Sequence, residues 1–237
     1  MELSAIAPWR GRARSPILAA GVLYDDQFDG PVLDPFWVRR TPRAGSEKKG
    51  YTFERGRLKL AVGGRKVKFA ASPAGVPPSV ELISKRLRFG GRPINLEVTY
   101  EPGSTMSRNR EVGWELLDER DAAICGLRWG PPGEKDGGPW FFWGTDGKRE
   151  VPASEGVTLH VIVSPCGRAV MMDDSKRVLA SWRNPGGTKS VAIQLFARVN
   201  SGTPRVWAVS YVDRLAIRRL PEWPADVERE RQSEEEK

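Results

Sequence analysis

The chain has 237 residues, of which 39% are hydrophobic, and it contains 25 glycines, 19 prolines and nine tryptophans. This composition suits one domain with a single core, built from short strands joined by Gly and Pro turns. One histidine excludes a multi-histidine metal centre, and two cysteines are too few for a disulfide scaffold. The formal net charge of +8 favours a polyanionic partner, with a solubilising surface as the alternative.

The first 20 residues predict an irregular basic arm, because Pro8, Gly11 and Pro16 interrupt any helix. No apolar run approaches the roughly 20 residues that a membrane-spanning helix needs, so no transmembrane segment is expected. The run Ile17–Leu23 is short for the apolar region of a signal peptide, and we expect a soluble chain without one. The sequence does not identify the compartment.

The elements that follow are mostly strands. Residues 24–37 (YDDQFDGPVLDPFW) predict an edge strand and a turn-rich loop, and residues 51–60 predict an alternating hairpin. Alternation of apolar and polar residues predicts strands over 57–62, 94–100 and 191–199. Hairpins are also expected over 111–129, with a turn at 118–121, and over 157–172, with a turn at 165–167.

The stretch 24–37, followed by Gly56-Arg57-Leu58-Lys59-Leu60, resembles the entry to concanavalin A-like jelly-roll domains, a superfamily with lectin, laminin-G-like and glucanase members. The resemblance covers about residues 22–219. It implies an all-β fold, an antiparallel β-sandwich over 21–220 in which the last strand, 207–218, pairs near the first. Residues 221–237 are expected to form a charged tail in which Pro224 could begin a short helix. Because this fold hosts many functions, activity has to be argued from a site.

Glycosidases of this superfamily carry two glutamates and an aspartate on one strand, and the nearest match is Glu115 with Glu119. A retaining mechanism needs two carboxyl groups about 5 Å apart. Leu117 stands between the two glutamates, and Asp118 belongs to the other face, which departs from the family pattern. The structural alternative is an exposed strand end and hairpin tip.

Aromatic residues supply the ligand-binding candidates. Tryptophan at a loop mouth or on a sheet face can stack on the apolar face of a sugar ring, although it can equally fill the core. The candidates are Trp114, Trp129, Trp140 and Trp143, with Arg128 and Glu115 as polar partners.

Calcium sites in the lectin relatives use loop carboxylates, so Asp25, Asp173 and Asp174 are the metal candidates, although adjacent acids are also ordinary turn residues. No other cofactor is expected.

Basic clusters lie near aromatic residues, but no helix-turn-helix, zinc-finger or RNP-like phrase is present, so specific nucleic-acid binding is not expected. Cys125 and Cys166 could form one bridge, and buried free thiols are the favoured alternative.

The leading hypothesis is therefore a non-catalytic, lectin-like domain that binds carbohydrate or a polyanionic glycan. The first alternative is a glycoside hydrolase with a divergent acid pair, Glu115 and Glu119. The second is a structural or assembly protein whose arm and tail contact neighbouring copies, so self-association stays open.

Overall fold

The computed structural model describes residues 21–40, 50–63, 79–102, 110–130, 138–143, 147–150, 157–183, 187–199, 207–225 and 227. The predicted arm, 1–20, and most of the predicted tail lie outside these residues. The described residues form sixteen strands. They are β1 (Val22–Asp26), β2 (Trp37–Arg40), β3 (Tyr51–Phe53), β4 (Leu58–Gly63), β5 (Ser79–Ser84), β6 (Leu87–Arg88), β7 (Ile94–Pro102), β8 (Arg110–Leu117), β9 (Ala123–Gly130), β10 (Gly138–Trp143), β11 (Gly147–Glu150), β12 (Val157–Val163), β13 (Arg168–Asp173), β14 (Val178–Arg183), β15 (Ser190–Val199) and β16 (Trp207–Arg219).

These strands form two antiparallel sheets, which confirms the predicted all-β antiparallel sandwich. The first sheet has the order β14-β13-β12-β7-β16-β4-β3, with β1 also paired to β16. The second has the order β11-β10-β9-β8-β15-β5-β2, with β6 also paired to β15. The pairing of β1 with β16 is the expected return of the last strand to the first.

Alternation along the central strands places the core between the sheets. In β7, Leu96 and Val98 are fully buried, and in β8 so are Val112, Trp114 and Leu116. All five belong to one hydrophobic cluster contributed by both sheets. Successive side chains of a strand point to opposite faces, so the residues between them lie on the outer faces of the sandwich.

The predicted hairpins and their turns are also confirmed. β8 and β9 meet at residues 118–121, where Asp118 Oδ1 accepts the backbone N–H groups of Arg120 (2.8 Å) and Ala122 (2.9 Å). β12 and β13 are joined at residues 165–167, where Gly167 adopts a φ of 81°, a left-handed conformation that glycine adopts without strain.

The sequence stretch 24–37 connects the two sheets through an aromatic cluster. The Tyr24 hydroxyl, on β1, donates to Asp26 (2.6 Å) and accepts a hydrogen bond from Trp37 Nε1, on β2, at 3.0 Å. The Tyr24 ring stacks on Phe36, with centroids 3.8 Å apart. Burial and the neighbouring Asp26 carboxylate raise the pKa of the Tyr24 phenol, so this hydroxyl remains a donor at neutral pH. The most distinctive stretch of the sequence therefore has a structural role.

A smaller apolar cluster lies on the outer face of the first sheet. Leu220 and Val227 are buried there against residues of β12, β13 and β14, and the partly buried Trp223 packs beside them. The Arg168 guanidinium lies 4.7 Å from the centroid of the Trp223 ring. The beginning of the region predicted as a tail therefore packs on the sandwich. Among the described residues, no helix has the length and apolar character needed to cross a membrane.

Candidate functional site

Charged residues gather on the outer face of the second sheet, where neighbouring strands align them. On β8, Glu111 and Glu115 alternate with the buried residues Val112 and Trp114, and therefore lie on the opposite face. Strand pairing places Gly113, between the two glutamates, opposite Arg128 of β9. We call the group formed by Glu81, Glu111, Glu115, Arg128 and Arg198 the Glu115 cluster.

The Glu115 carboxylate is held by two guanidinium groups. Its Oε1 atom accepts hydrogen bonds from Arg128 Nη2 at 2.7 Å and Nε at 3.1 Å, and from Arg198 Nη1 at 3.1 Å. Its Oε2 atom accepts a longer one from Arg198 Nη2 at 3.4 Å. Charge-assisted hydrogen bonds of this kind fix both the position and the orientation of a carboxylate. The Glu115 carboxylate is therefore held in one orientation, and the charges of two guanidinium groups balance its negative charge.

Arg198 connects this carboxylate to β5 and to an aromatic ring. Its Nε atom lies 3.1 Å from Glu81 Oε1, and its guanidinium lies 4.0 Å from the centroid of the buried Phe196 ring. Burial alone would lower the pKa of Arg198, but the negative charges of Glu115 and Glu81 more than offset this effect, so the pKa is raised. Arg198 is therefore permanently charged and covers the ring beneath it.

Sequence analysis missed three members of the cluster, Glu81, Arg198 and Glu111, and Glu111 has the longest ion-pair distance of the three. Its Oε2 atom lies 3.9 Å from Arg128 Nη1, too far for a hydrogen bond, and about a quarter of its side chain is exposed. The cluster contains three carboxylates and two guanidiniums, so it keeps one formal negative charge. The sequence could have identified Glu111, because residues 111, 113 and 115 are spaced two apart in one strand and therefore lie on the same face.

Two of the predicted ligand-binding tryptophans do not reach this face. Trp114 is fully buried in the core, so the prediction that it contacts a ligand is wrong. Trp129 is half-buried and packs against the same core cluster. Because Trp129 and Arg128 are consecutive residues of β9, they lie on opposite faces and cannot line one site as predicted.

Trp140 and Trp143 belong to β10, and only their backbone is described. Trp140 pairs with Arg128, and Trp143 pairs with the buried Cys125. Directly opposite residues of an antiparallel pair occupy the same face, so position 140 belongs to the face of the Glu115 cluster and position 143 to the core face. Ligand binding by either residue stays a prediction.

Glu119, the second predicted catalytic acid, lies beyond the end of β8 in the exposed turn. Its Oε2 atom accepts hydrogen bonds from Thr188 Oγ1 (2.5 Å) and from the Lys189 backbone N–H (3.3 Å). The hydrogen bond from Thr188 is the main reason that the pKa of Glu119 is lowered. Glu119 therefore ties a turn to the segment before β15. The predicted pair of Glu115 and Glu119 is wrong, and the structural alternative is confirmed: Glu119 lies in the predicted turn at 118–121, beyond the end of β8 at Leu117.

The metal candidates have protein partners. Asp25 forms a two-pronged ion pair with Arg214, at 3.0 and 3.2 Å. Asp173 Oδ1 accepts the backbone N–H groups of Ser175 (2.9 Å) and Arg177 (3.0 Å), which closes its own turn. Asp174 lies 3.7 Å from His160 Nε2. Within the described ranges, no group of three or more His, Cys, Asp or Glu residues is arranged to hold a metal ion.

The two cysteines are free thiols in different environments, Cys125 buried and Cys166 exposed, so the expectation that both are buried is wrong for Cys166. A hydrogen-bond contact with Ser164 Oγ, 3.0 Å away, lowers the pKa of Cys166, whereas burial raises the pKa of Cys125.

Because the thiolate is the reactive form, we expect a thiol-specific reagent at pH 8 to modify one thiol, Cys166, rapidly in each native chain. The other should react only in denaturant, and Cys166→Ser should abolish the rapid reaction. Two rapid thiols would contradict the burial of Cys125.

Comparison with known proteins was made at the level of sequence and of structure. No protein-family model matches the chain, and no curated protein matches it by sequence. Solved structures do match. The pseudo beta-1,3-glucanase and immunostimulatory antigen of Mycobacterium tuberculosis superposes with a TM-score of 0.59 at 16% identity, covering 84% of this chain and 99% of that one.

Two further structures match over similar lengths. The endo-beta-1,3-glucanase of Pyrococcus furiosus gives a TM-score of 0.59 at 12% identity, covering 88% of this chain and 100% of that one. The carbohydrate recognition domain of Emp47p gives 0.55 at 10% identity, covering 83% and 95%. At these identities the likeness establishes the fold alone. The chain has the jelly-roll β-sandwich fold of these glucanase and carbohydrate-recognition structures.

Proposed function

We propose that this protein is a non-catalytic carbohydrate-binding domain of the concanavalin A-like superfamily, and that the Glu115 cluster is its ligand site. The observation that carries the proposal is the double guanidinium clamp on Glu115. It provides polar groups with fixed orientations on a sheet face, and it leaves Glu111 without a second free carboxylate beside it to complete a hydrolytic acid pair. The structural similarity to glucanases and to a carbohydrate recognition domain supports the same class of ligand.

Fixed polar groups suit sugar hydroxyls, because hydroxyls both donate and accept hydrogen bonds. In the proposed complex Glu111 accepts from hydroxyl groups, since it lacks a close partner among the described residues. The guanidiniums of the cluster donate to hydroxyl oxygens. Trp140 is the proposed aromatic contact, because its position pairs with Arg128.

Hydrolysis is the alternative, favoured by the presence of Glu111 and Glu115 on one face and both near Arg128. A retaining hydrolase needs one carboxylate that attacks the sugar and one that donates a proton. Glu115 fits neither task well, because its Oε1 atom already accepts three hydrogen bonds. The hydrogen bonds from Arg128 and Arg198 to Glu115 therefore favour a binding protein over a hydrolase.

The test uses neutral β-1,3-glucan oligosaccharides, titrated into the full chain by calorimetry, together with an assay for released reducing ends. We expect saturable binding without hydrolysis. Glu115→Gln should weaken binding about tenfold or more, because it removes the charge that orients two arginines. The matched control is Glu101→Gln, which breaks the ion pair with Arg57 (2.5 Å) on the first sheet and should leave binding unchanged.

Circular dichroism at the titration temperature should verify that both variants are folded. Equal weakening by both variants, or no binding of any oligosaccharide in the series, would contradict the proposed site. Release of reducing ends that disappears in Glu115→Gln would replace the binding proposal with the hydrolase.

A further inference from the structure

A second candidate site lies at one end of the first sheet, away from the Glu115 cluster. A cavity of about 340 Å³ opens there between the start of β1, the loop before β7 and the end of β16. Its described lining residues are Gly21, Val22, Leu23, Arg92, Arg219 and Pro221. Backbone hydrogen bonds join its walls, from Arg219 N to Gly21 O (3.0 Å) and from Leu220 N to Pro93 O (2.9 Å). These backbone hydrogen bonds hold the three segments that form the walls of the cavity in fixed positions.

Both arginines of this cavity have unused donors. Arg219 Nη2 donates to the backbone carbonyl of Arg88 at 2.9 Å, but the buried Arg219 Nε atom has no hydrogen-bond partner. The exposed Arg92 guanidinium makes no ion pair or hydrogen bond with any described residue. The Arg219 Nε atom is too deeply buried to meet a ligand, so an oxyanion in the cavity would contact the exposed guanidinium of Arg92, beside the positive charge of Arg219.

The surroundings of the cavity are basic as well. Arg219 Nη2 donates to the Arg88 carbonyl oxygen, and Arg88 pairs with Ser190, which follows Lys189 in the chain. The nearest acid along the chain is Glu222, which follows Pro221; it is exposed and forms no ion pair with Arg92 or Arg219. The net charge of +8 acts in the same direction, because it attracts anions to the whole surface.

We propose that this cavity, the Arg92–Arg219 cavity, binds a single sugar unit that carries a carboxylate or sulfate group. The Arg92 guanidinium binds the oxyanion, for which its planar donor geometry is well suited, beside the positive charge of Arg219. The exposed side chain of Val22 and the ring of Pro221 pack against the carbon skeleton, whereas the Leu23 side chain packs against the core. The volume lies at the low end of the range for small-molecule pockets, which suits one ring and not a long chain.

Nucleic acid fits this cavity less well. Base recognition on a single strand relies on aromatic stacking platforms, and the described lining contains no aromatic side chain. The inference does not depend on the proposed function, because the cavity belongs to the first sheet and the Glu115 cluster to the second. Either site can therefore fail without the other.

The test titrates the full chain with glucuronate, glucose and inorganic sulfate at constant ionic strength, with amide chemical shifts as the readout. We expect glucuronate to bind saturably and to shift the amides of Gly21 and Gly91, with sulfate competing for the same site and glucose causing no such shifts. Arg92→Gln should weaken glucuronate binding about tenfold or more. This variant should fold normally, because the Arg92 side chain is exposed and makes no ion pair or hydrogen bond with a described residue.

The control is Arg55→Gln, which removes the same charge from an exposed residue in the β3–β4 turn. We expect it to bind glucuronate as the wild type does. Equal weakening by both variants would indicate general charge attraction and overturn the site. Binding of sulfate without glucuronate would overturn the sugar ligand, and the absence of saturable binding of either anion would overturn the proposal altogether.

Discussion

Gly113→Ala is expected to destabilise the protein by about 3 kcal/mol or more, which corresponds to a fall in Tm of roughly 6–12 °C or more. A Cβ atom at position 113 would lie 2.0 Å from the Leu127 carbonyl oxygen and 3.0 Å from its carbonyl carbon. These are backbone atoms of the paired strand, so no side-chain rotation relieves the overlap. β8 and β9 would have to separate, at the point where Arg128 reaches Glu115.

The measurement is thermal unfolding followed by circular dichroism, with Gly30→Ala as the control. A Cβ atom at position 30 would meet no atom within 4 Å, so the control should change stability by no more than about 0.5 kcal/mol. If Gly113→Ala unfolded at the wild-type temperature, the close approach of these strands would be wrong. The geometry of the Glu115 cluster, which depends on it, would then need revision.

Trp114→Ala should cost about 3–5 kcal/mol, because it leaves a large cavity in the centre of the core. The Trp114 side chain is among the largest that are fully buried, and its Nε1 atom has no hydrogen-bond partner in the described structure. Trp114→Phe should therefore cost less than about 1.5 kcal/mol, since it retains most of the ring volume and removes an unsatisfied N–H group.

Denaturant unfolding of both variants provides the measurement, with glycan binding of the folded Trp114→Phe protein as the second readout. We expect the phenylalanine variant to bind β-1,3-glucan oligosaccharides as the wild type does. A stable Trp114→Ala protein that had lost only glycan binding would contradict the core position and restore the ligand-binding role predicted from the sequence.

The candidate site was predicted only in part. Sequence analysis identified Arg128 and Glu115 as polar partners, and the structure shows that they are hydrogen-bonded to each other. It paired Glu119 with Glu115 by strand parity, although the same sequence predicted a turn at 118–121, and the structure shows that turn, in which Asp118 accepts backbone N–H groups. It overlooked Glu111, whose parity with Glu115 could be read from the sequence.

Period-two alternation and Gly or Pro turns predicted short strands and the course of most of them, because both are local properties of the chain. The antiparallel sandwich was implied by the resemblance to concanavalin A-like domains. The faces of individual residues also follow from that period, once the ends of a strand are known. These local rules account for the agreement between the predicted and observed hairpins.

Which charges meet depends on the pairing of strands that are distant in the sequence. Arg198 is 83 residues from Glu115 in the sequence, and the pairing of β15 with β8 brings the two into contact. The clamp on Glu115 likewise depends on β9, and the Arg92–Arg219 cavity depends on the pairing of β1 with β16. Contacts of this kind are set by strand order and register between distant segments, which no local pattern in the sequence encodes.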